Sequence, residues 1–437
     1  MSAIRNCSSF LSQSKRTAGI AIGAMALFAI TAPALTAEAP PKDEVYTLTT
    51  AIGIPAIPGP GSAKLISYDI SYADPGLKKY LLAVRDAKAI AIVDATKNSI
   101  TLSDPVFAGV AGGGPNGVWT VSNNDTGKTE IWAGDGDSTV KLLDASGKFI
   151  TAVSTKGAFR ADEGCFDPTD QLVVVANNDE MPWPWITFIP TSGPNARTAV
   201  KQIIFNGLAG SGGVMATNGI EQCQWDAKTG KIYVNIPENN GSGNDTSPGA
   251  VVVIDPKSMS VEKVFTIPLS ACTGPMGMAI GPENQILLGC SAHGSNSAII
   301  NARSGAVESI LTGIAGTDEV WFNSGDGHYI LPFCTAACRT ADSPKTPEQV
   351  GIIDSNGFKV DKSVGVTSAT TTSGSGGMRR LKSTAAEPNT NQVYVAIAAI
   401  GGGAPTFAPT ICSSAPIKVG TPTDATGCIA VFKSSGE

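Results

Sequence analysis

The chain is 437 residues long, with 31 basic and 37 acidic residues for a net charge of −6, and 42% of it is hydrophobic. The mild acidity and the lack of a dense Lys/Arg cluster exclude a nucleic-acid-binding face. Two histidines and no Cys-x-x-Cys spacing exclude a zinc centre and a four-histidine iron site.

In chain order, residues 1–39 read as a signal peptide. Arg5, Lys15 and Arg16 form a basic region, Ala18–Ile30 an apolar one, and Ala37-Glu38-Ala39 a small-x-small cleavage site. The apolar stretch is too short to span a bilayer, and no later segment approaches one. The expectation is a periplasmic or secreted protein with no membrane span in the mature chain. Residues 40–62 are rich in Pro and Gly and read as an extended arm, in which Tyr46–Ala51 supplies a ring-closing strand. Residues 63–437 read as one domain.

That domain repeats. GPNGVW at 114–119, DEGCFD at 162–167, IEQCQWD at 220–226, GPMGMAI at 274–280 and DEVWFN at 318–323 are each followed by a turn and a second apolar run. Aligning Asn116, Glu163, Glu221, Met276 and Glu319 gives steps of roughly 47, 58, 55 and 43 residues, a propeller period. The third apolar run of each unit ends in a turn-making Asp or Asn, as at Asp94, Asp144, Asp255 and Asp354. The predicted fold is all-β: a β-propeller of seven blades, each of four antiparallel strands.

Eight cysteines follow the signal segment, an even count that favours disulfides in an exported chain. Cys165 and Cys223 occupy one motif position in successive copies and are expected to staple neighbouring inner strands. Cys272 with Cys290 and Cys412 with Cys428 flank hairpins, and Cys334 with Cys338 would close a small loop.

The residues before each inner strand converge at the mouth of the central channel. These are Asp69, Asn116, Asp162 with Glu163, Glu221, Met276, and Asp318 with Glu319, with Arg379 and Arg380 opening blade seven. Crowded carboxylates raise one another's pKa unless a cation or the arginines relieve them. Oxygen donors point to Ca²⁺ first and Mg²⁺ second, held by Asn116, Glu163 and Glu221. The loops after the second strands add Asp86, Asp135, Asp137, Asn178, Asp179, Glu238, Asn239 and His293. Trp183 and Trp185, on the same face, are candidates for stacking on a ligand. His328 reads as structural, and GDGD at 134–137 as a turn.

IVDA, LLDASGK and VIDPKS, with YVNIPE and VYVAIA, resemble the YVTN/YncE-like exported propellers over most of the chain. GPNGVW followed by EIWAGDGDSTVKLLD, over 114–144, is similar to the gluconolactonase and senescence-marker-protein superfamily. The second resemblance implies that Asn116 reaches a channel metal, usually calcium. That superfamily's later aspartate, before a glycine-rich turn, has no counterpart here. Two functions are therefore expected. One is a binding protein that takes a small-molecule ligand or an exported protein partner at the acidic mouth. The other is a metal-dependent hydrolase of a small lactone or ester, with Glu319 or His293 as base and Arg379 or Arg380 as anion binder.

Overall fold

A computed structural model of the protein describes residues 46–56, 64–291, 293–333, 349–358, 360–364, 381–399 and 411–434. The expected signal peptide, Arg379, Arg380 and the Cys334–Cys338 pair lie outside these. The described chain forms seven antiparallel sheets arranged as a β-propeller. The inner strands are Tyr68–Asp74, Val118–Asn123, Gly164–Asp167, Cys223–Asp226, Pro275–Ile280, Trp321–Asn323 and Thr384–Glu387. In the first six blades the strands follow sequence order outward from the axis.

Local chemistry sets this order. The Asp or Asn that ends five of the seven inner strands accepts backbone N–H groups across the next turn. Asp74 takes Leu77 N at 2.7 Å, Asn123 takes Asp125 N at 2.9 Å and Asp167 takes Thr169 N at 2.8 Å. The outer turns repeat the device: Asp94 accepts from Thr96 N at 2.9 Å, Asp144 from Ser146 N at 2.8 Å, Asp255 from Ser258 N at 3.2 Å and Asp354 from Asn356 N at 2.8 Å. These aspartates are turn-makers.

The core lies between blades rather than inside any one of them. Tyr80 and Leu82 of blade one pack with Tyr394, Ile429 and Val431 of blade seven, and the rings of Tyr80 and Tyr394 stack at 4.7 Å. Val174 and Phe188 of blade three meet Ile232 and Val252 of blade four in the same way.

Blade seven closes the ring with both ends of the chain. Tyr46–Ile52 pairs antiparallel with Cys428–Ser434, which in turn pairs with Gln392–Ile397. The propeller therefore begins at Tyr46, inside the segment read as an arm. Ile417–Val419 adds a short parallel edge strand. Three disulfides form as expected: Cys165–Cys223 between the inner strands of blades three and four, Cys272–Cys290, and Cys412–Cys428. Among the described residues no helix is long and apolar enough to cross a membrane.

Candidate functional site: the central channel

Two of the motif glycines, Gly117 and Gly277, have a steric cause. A Cβ on Gly117 would stand 2.6 Å from the Cα of Glu163 and 2.8 Å from the carbonyl oxygen of Asp162. A Cβ on Gly277 would stand 2.6 Å from the carbonyl oxygen of Asp318. In both places glycine lets the acidic pair of the next blade approach the axis.

The acids so delivered fall into two groups. The first, at the mouth, is ion-paired. The Arg85 guanidinium contacts the Asp69 carboxylate and donates to Asn116 Oδ1 at 2.6 Å. Lys382 Nζ lies 3.4 Å from Asp69 and 3.7 Å from Asp318. Arg160 contacts Asp162 at 3.0 Å and Asp179 at 2.9 Å. Asn178 donates to Asp162 at 3.1 Å and accepts from Ile220 N at 2.8 Å, tying blade three to blade four. Although burial raises the Asp69 carboxyl, Lys382 and Arg85 hold it below its ordinary value. Asp162 is raised by burial, against the pull of Arg160.

The second group makes no ion pair among the described residues, although Arg160 pulls on Glu221 from a distance. Glu163 and Glu319 are 6% and 1% exposed, and Oε2 of Glu163 and Oε1 of Glu319 are buried with no hydrogen-bond partner. Burial pushes Glu163 well above the ordinary carboxylate range, and the charges of Glu221 and Asp162 add to it. Glu221, partly buried, is raised by burial and then by Asp318 and Asp162. Burial also raises Glu319, although its other oxygen accepts from the Ser383 hydroxyl and, at 3.2 Å each, from Ser71 N and Oγ.

Glu163 and Glu319 line a cavity of about 470 Å³ that continues along the inner strands toward their hairpin turns. That volume is in the range of small-molecule sites. Asp69, Asn116, Asp162, Glu221 and Asp318 do not line it.

The predicted site residues thus divide. Asp69, Asn116, Asp162, Glu163, Glu221, Asp318 and Glu319 meet around the channel. Asn116 is fully committed there: Arg85 occupies its Oδ1, and its Nδ2 donates to Ala161 O at 3.0 Å. A guanidinium therefore stands where the resemblance puts a metal. Among the described residues no three His, Cys, Asp or Glu side chains form a preassembled metal shell.

Other predicted residues lie elsewhere or do structural work. Trp185 opens the third strand of blade three, two strands out from the channel, and its indole donates to Thr187 at 3.2 Å. Trp183 precedes it, and neither ring lines the cavity. His293 Nδ1 lies 2.9 Å from Asp245, which also accepts from Ser291 at 2.6 Å and Asn218 at 2.6 Å. This cluster sits in the loops of blades four and five. Asp86 accepts Ile66 N and Ser67 N at 2.7 and 2.6 Å. Glu238, fully buried, accepts N–H groups of Gly243, Thr246 and Ser247 and thereby folds the NNGSGNDTSPG loop. Asp135 and Asp137 share Lys141 in a turn. His328 is buried beside Asp326 and edge-on to Tyr46, as a structural residue should be.

The sequence reading does not name the cations Arg85, Arg160 and Lys382. Arg85 was findable, since it follows the second strand of blade one at the position that supplies the loop acids of other blades. Lys382 stands two residues beyond Arg380, in the blade-seven counterpart of Asp318.

No family model matches the chain, and no curated protein matches it. Among solved structures it is similar to a chain in a crystal structure of a mitotic checkpoint complex, at 12% identity and a TM-score of 0.55. The match covers 83% of this chain and 95% of that one. The likeness is one of fold.

Proposed function

We propose that the protein is an exported binding propeller whose channel takes a small, positively charged ligand. The observation that carries this reading is the pair of buried, unpartnered carboxylate oxygens on Glu163 and Glu319. A buried carboxylate without a partner is costly, and a cationic ligand offsets that cost. The mouth acids are already balanced by Arg85, Arg160 and Lys382, which leaves Glu163, Glu221 and Glu319 as the poles that attract the ligand. The three disulfides and the targeting segment expected over 1–39 support export.

Ca²⁺ is the inorganic ion that suits this chemistry, with Mg²⁺ second. Hard oxygen donors accept it, and it tolerates a shell completed by water. Glu163 and Glu221 would hold it, and Asn116, bound to Arg85, would not. The test is a melting curve of oxidised, EDTA-treated protein with and without added Ca²⁺. A rise of several degrees is expected from the linkage of binding to folding, and it should vanish in Glu163→Gln/Glu221→Gln. An unchanged response in the double variant would overturn the assignment to these two residues.

A further inference from the structure

The cavity beneath the glutamates is aromatic. Tyr72, Trp119, Phe166, Trp225 and Trp321 line it, one ring from each of five blades. Tyr72 and Trp321 meet edge to face, with centroids 5.3 Å apart and planes at 89°. The inner strands of a propeller could carry small apolar residues at these places, as Ala385 and Ala386 do in blade seven. All five are lining residues of the cavity, and they also pack against the interblade core, Trp119 at 2% exposed most deeply. Glu163 and Glu319 are lining residues of the same cavity, and each has one carboxylate oxygen buried away from its open space with no hydrogen-bond partner among the described residues.

These two observations are independent and point to the same ligand class. Aromatic faces attract cations through the ring quadrupole, most strongly for Trp, and they favour weakly hydrated organic cations. A carboxylate without a partner attracts positive charge of any kind. A metal ion alone would leave the apolar walls unused, and a neutral apolar ligand would leave the carboxylates unpaired. We propose that the channel cavity is a binding site for an organic ammonium ion. Its alkylated nitrogen sits among the Trp and Tyr rings, and Glu163 and Glu319 supply the countercharge. This inference rests on the channel being a ligand site and names the class of ligand.

Binding also couples to protons. Burial raises both carboxyls, and a cation beside them favours their ionised form. Ammonium affinity therefore increases as pH rises.

The experiment is calorimetric titration of oxidised, EDTA-treated protein with choline and with the uncharged alcohol in which carbon replaces its nitrogen. Choline should bind at least about tenfold more tightly than its neutral counterpart. Trp225→Leu should weaken choline about tenfold, while Trp225→Phe, which keeps a ring, should retain most of the affinity. Glu163→Gln should weaken choline and reduce the pH dependence, leaving the part that Glu319 contributes. Each variant is first checked by melting, and Trp225 is suited to the test because it is only partly buried. Equal binding of the two probes would overturn the inference in favour of an apolar pocket. A Ca²⁺ response without choline binding would overturn it while leaving the binding function in place. If neither Ca²⁺ nor choline binds, the channel is no ligand site and both readings fall.

Discussion

Asp69 shows how little a residue's charge says before its neighbours are known. It looks like one more acid in a crowded mouth, yet it is the hub of the pairing network, held between Arg85 and Lys382. Its removal leaves two cations facing each other. Asp69→Asn should cost about 2 kcal/mol by chemical denaturation, less than for a fully buried pair because Lys382 is 31% exposed. A loss below about 0.5 kcal/mol, the level of an exposed surface pair, would contradict the pairing. Glu163 and Glu319 are carboxylates too, and among the described residues neither forms an ion pair. That contrast was not legible in the sequence, because which acid each of Arg85, Arg160 and Lys382 reaches is set only when the blades close around the axis. Gly117 and Gly277 were legible as motif glycines, but their reason, the backbone of the next blade at van der Waals distance, appears only in three dimensions.

At the scale of elements the sequence was far more informative. Turn aspartates at fixed offsets from alternating apolar runs place hairpins directly, and Asp94, Asp144, Asp255 and Asp354 each cap a turn as expected. The closing strand was also readable in the arm: the expected Tyr46–Ala51 is the strand Tyr46–Ile52. Trp185 opens the third strand of blade three and hydrogen-bonds within it, and neither it nor Trp183 lines the cavity. The aromatic residues that do line the cavity sit inside ordinary inner-strand patterns, where composition cannot separate core from channel. The disulfides make an element-scale prediction. Cys165–Cys223 spans 58 residues and Cys412–Cys428 spans 16. Loop-closure entropy assigns them about 4 and about 3 kcal/mol. Denaturation of Cys165→Ala/Cys223→Ala and Cys412→Ala/Cys428→Ala should therefore rank the first pair as the costlier loss. The reverse order would mean that local packing outweighs chain closure.

For the whole molecule, seven blades and a shared interblade core make the ring one cooperative object with a buried group of acids at its axis. The repeat period carried the architecture because each blade buries its faces only against its neighbours. The axis carries the function because every blade contributes its inner-strand approach there. The same arrangement makes global stability sensitive to axial charge. Burial raises the folded-state pKa of Glu163, Glu221 and Glu319. The stability they contribute is complete below the unfolded carboxylate value, about pH 4.5, and is lost as pH rises through their higher folded values.

The most direct test of this account is the melting temperature of the EDTA-treated, ligand-free protein between about pH 4.5 and pH 8, measured for the wild type and Glu163→Gln. The wild type should lose stability as pH rises. Glu163→Gln should match it at the acidic end, lose less and melt higher at the alkaline end. Parallel profiles for the two proteins would mean that Glu163 carries no uncompensated charge in the folded channel, and the ligand site argued from it would not stand.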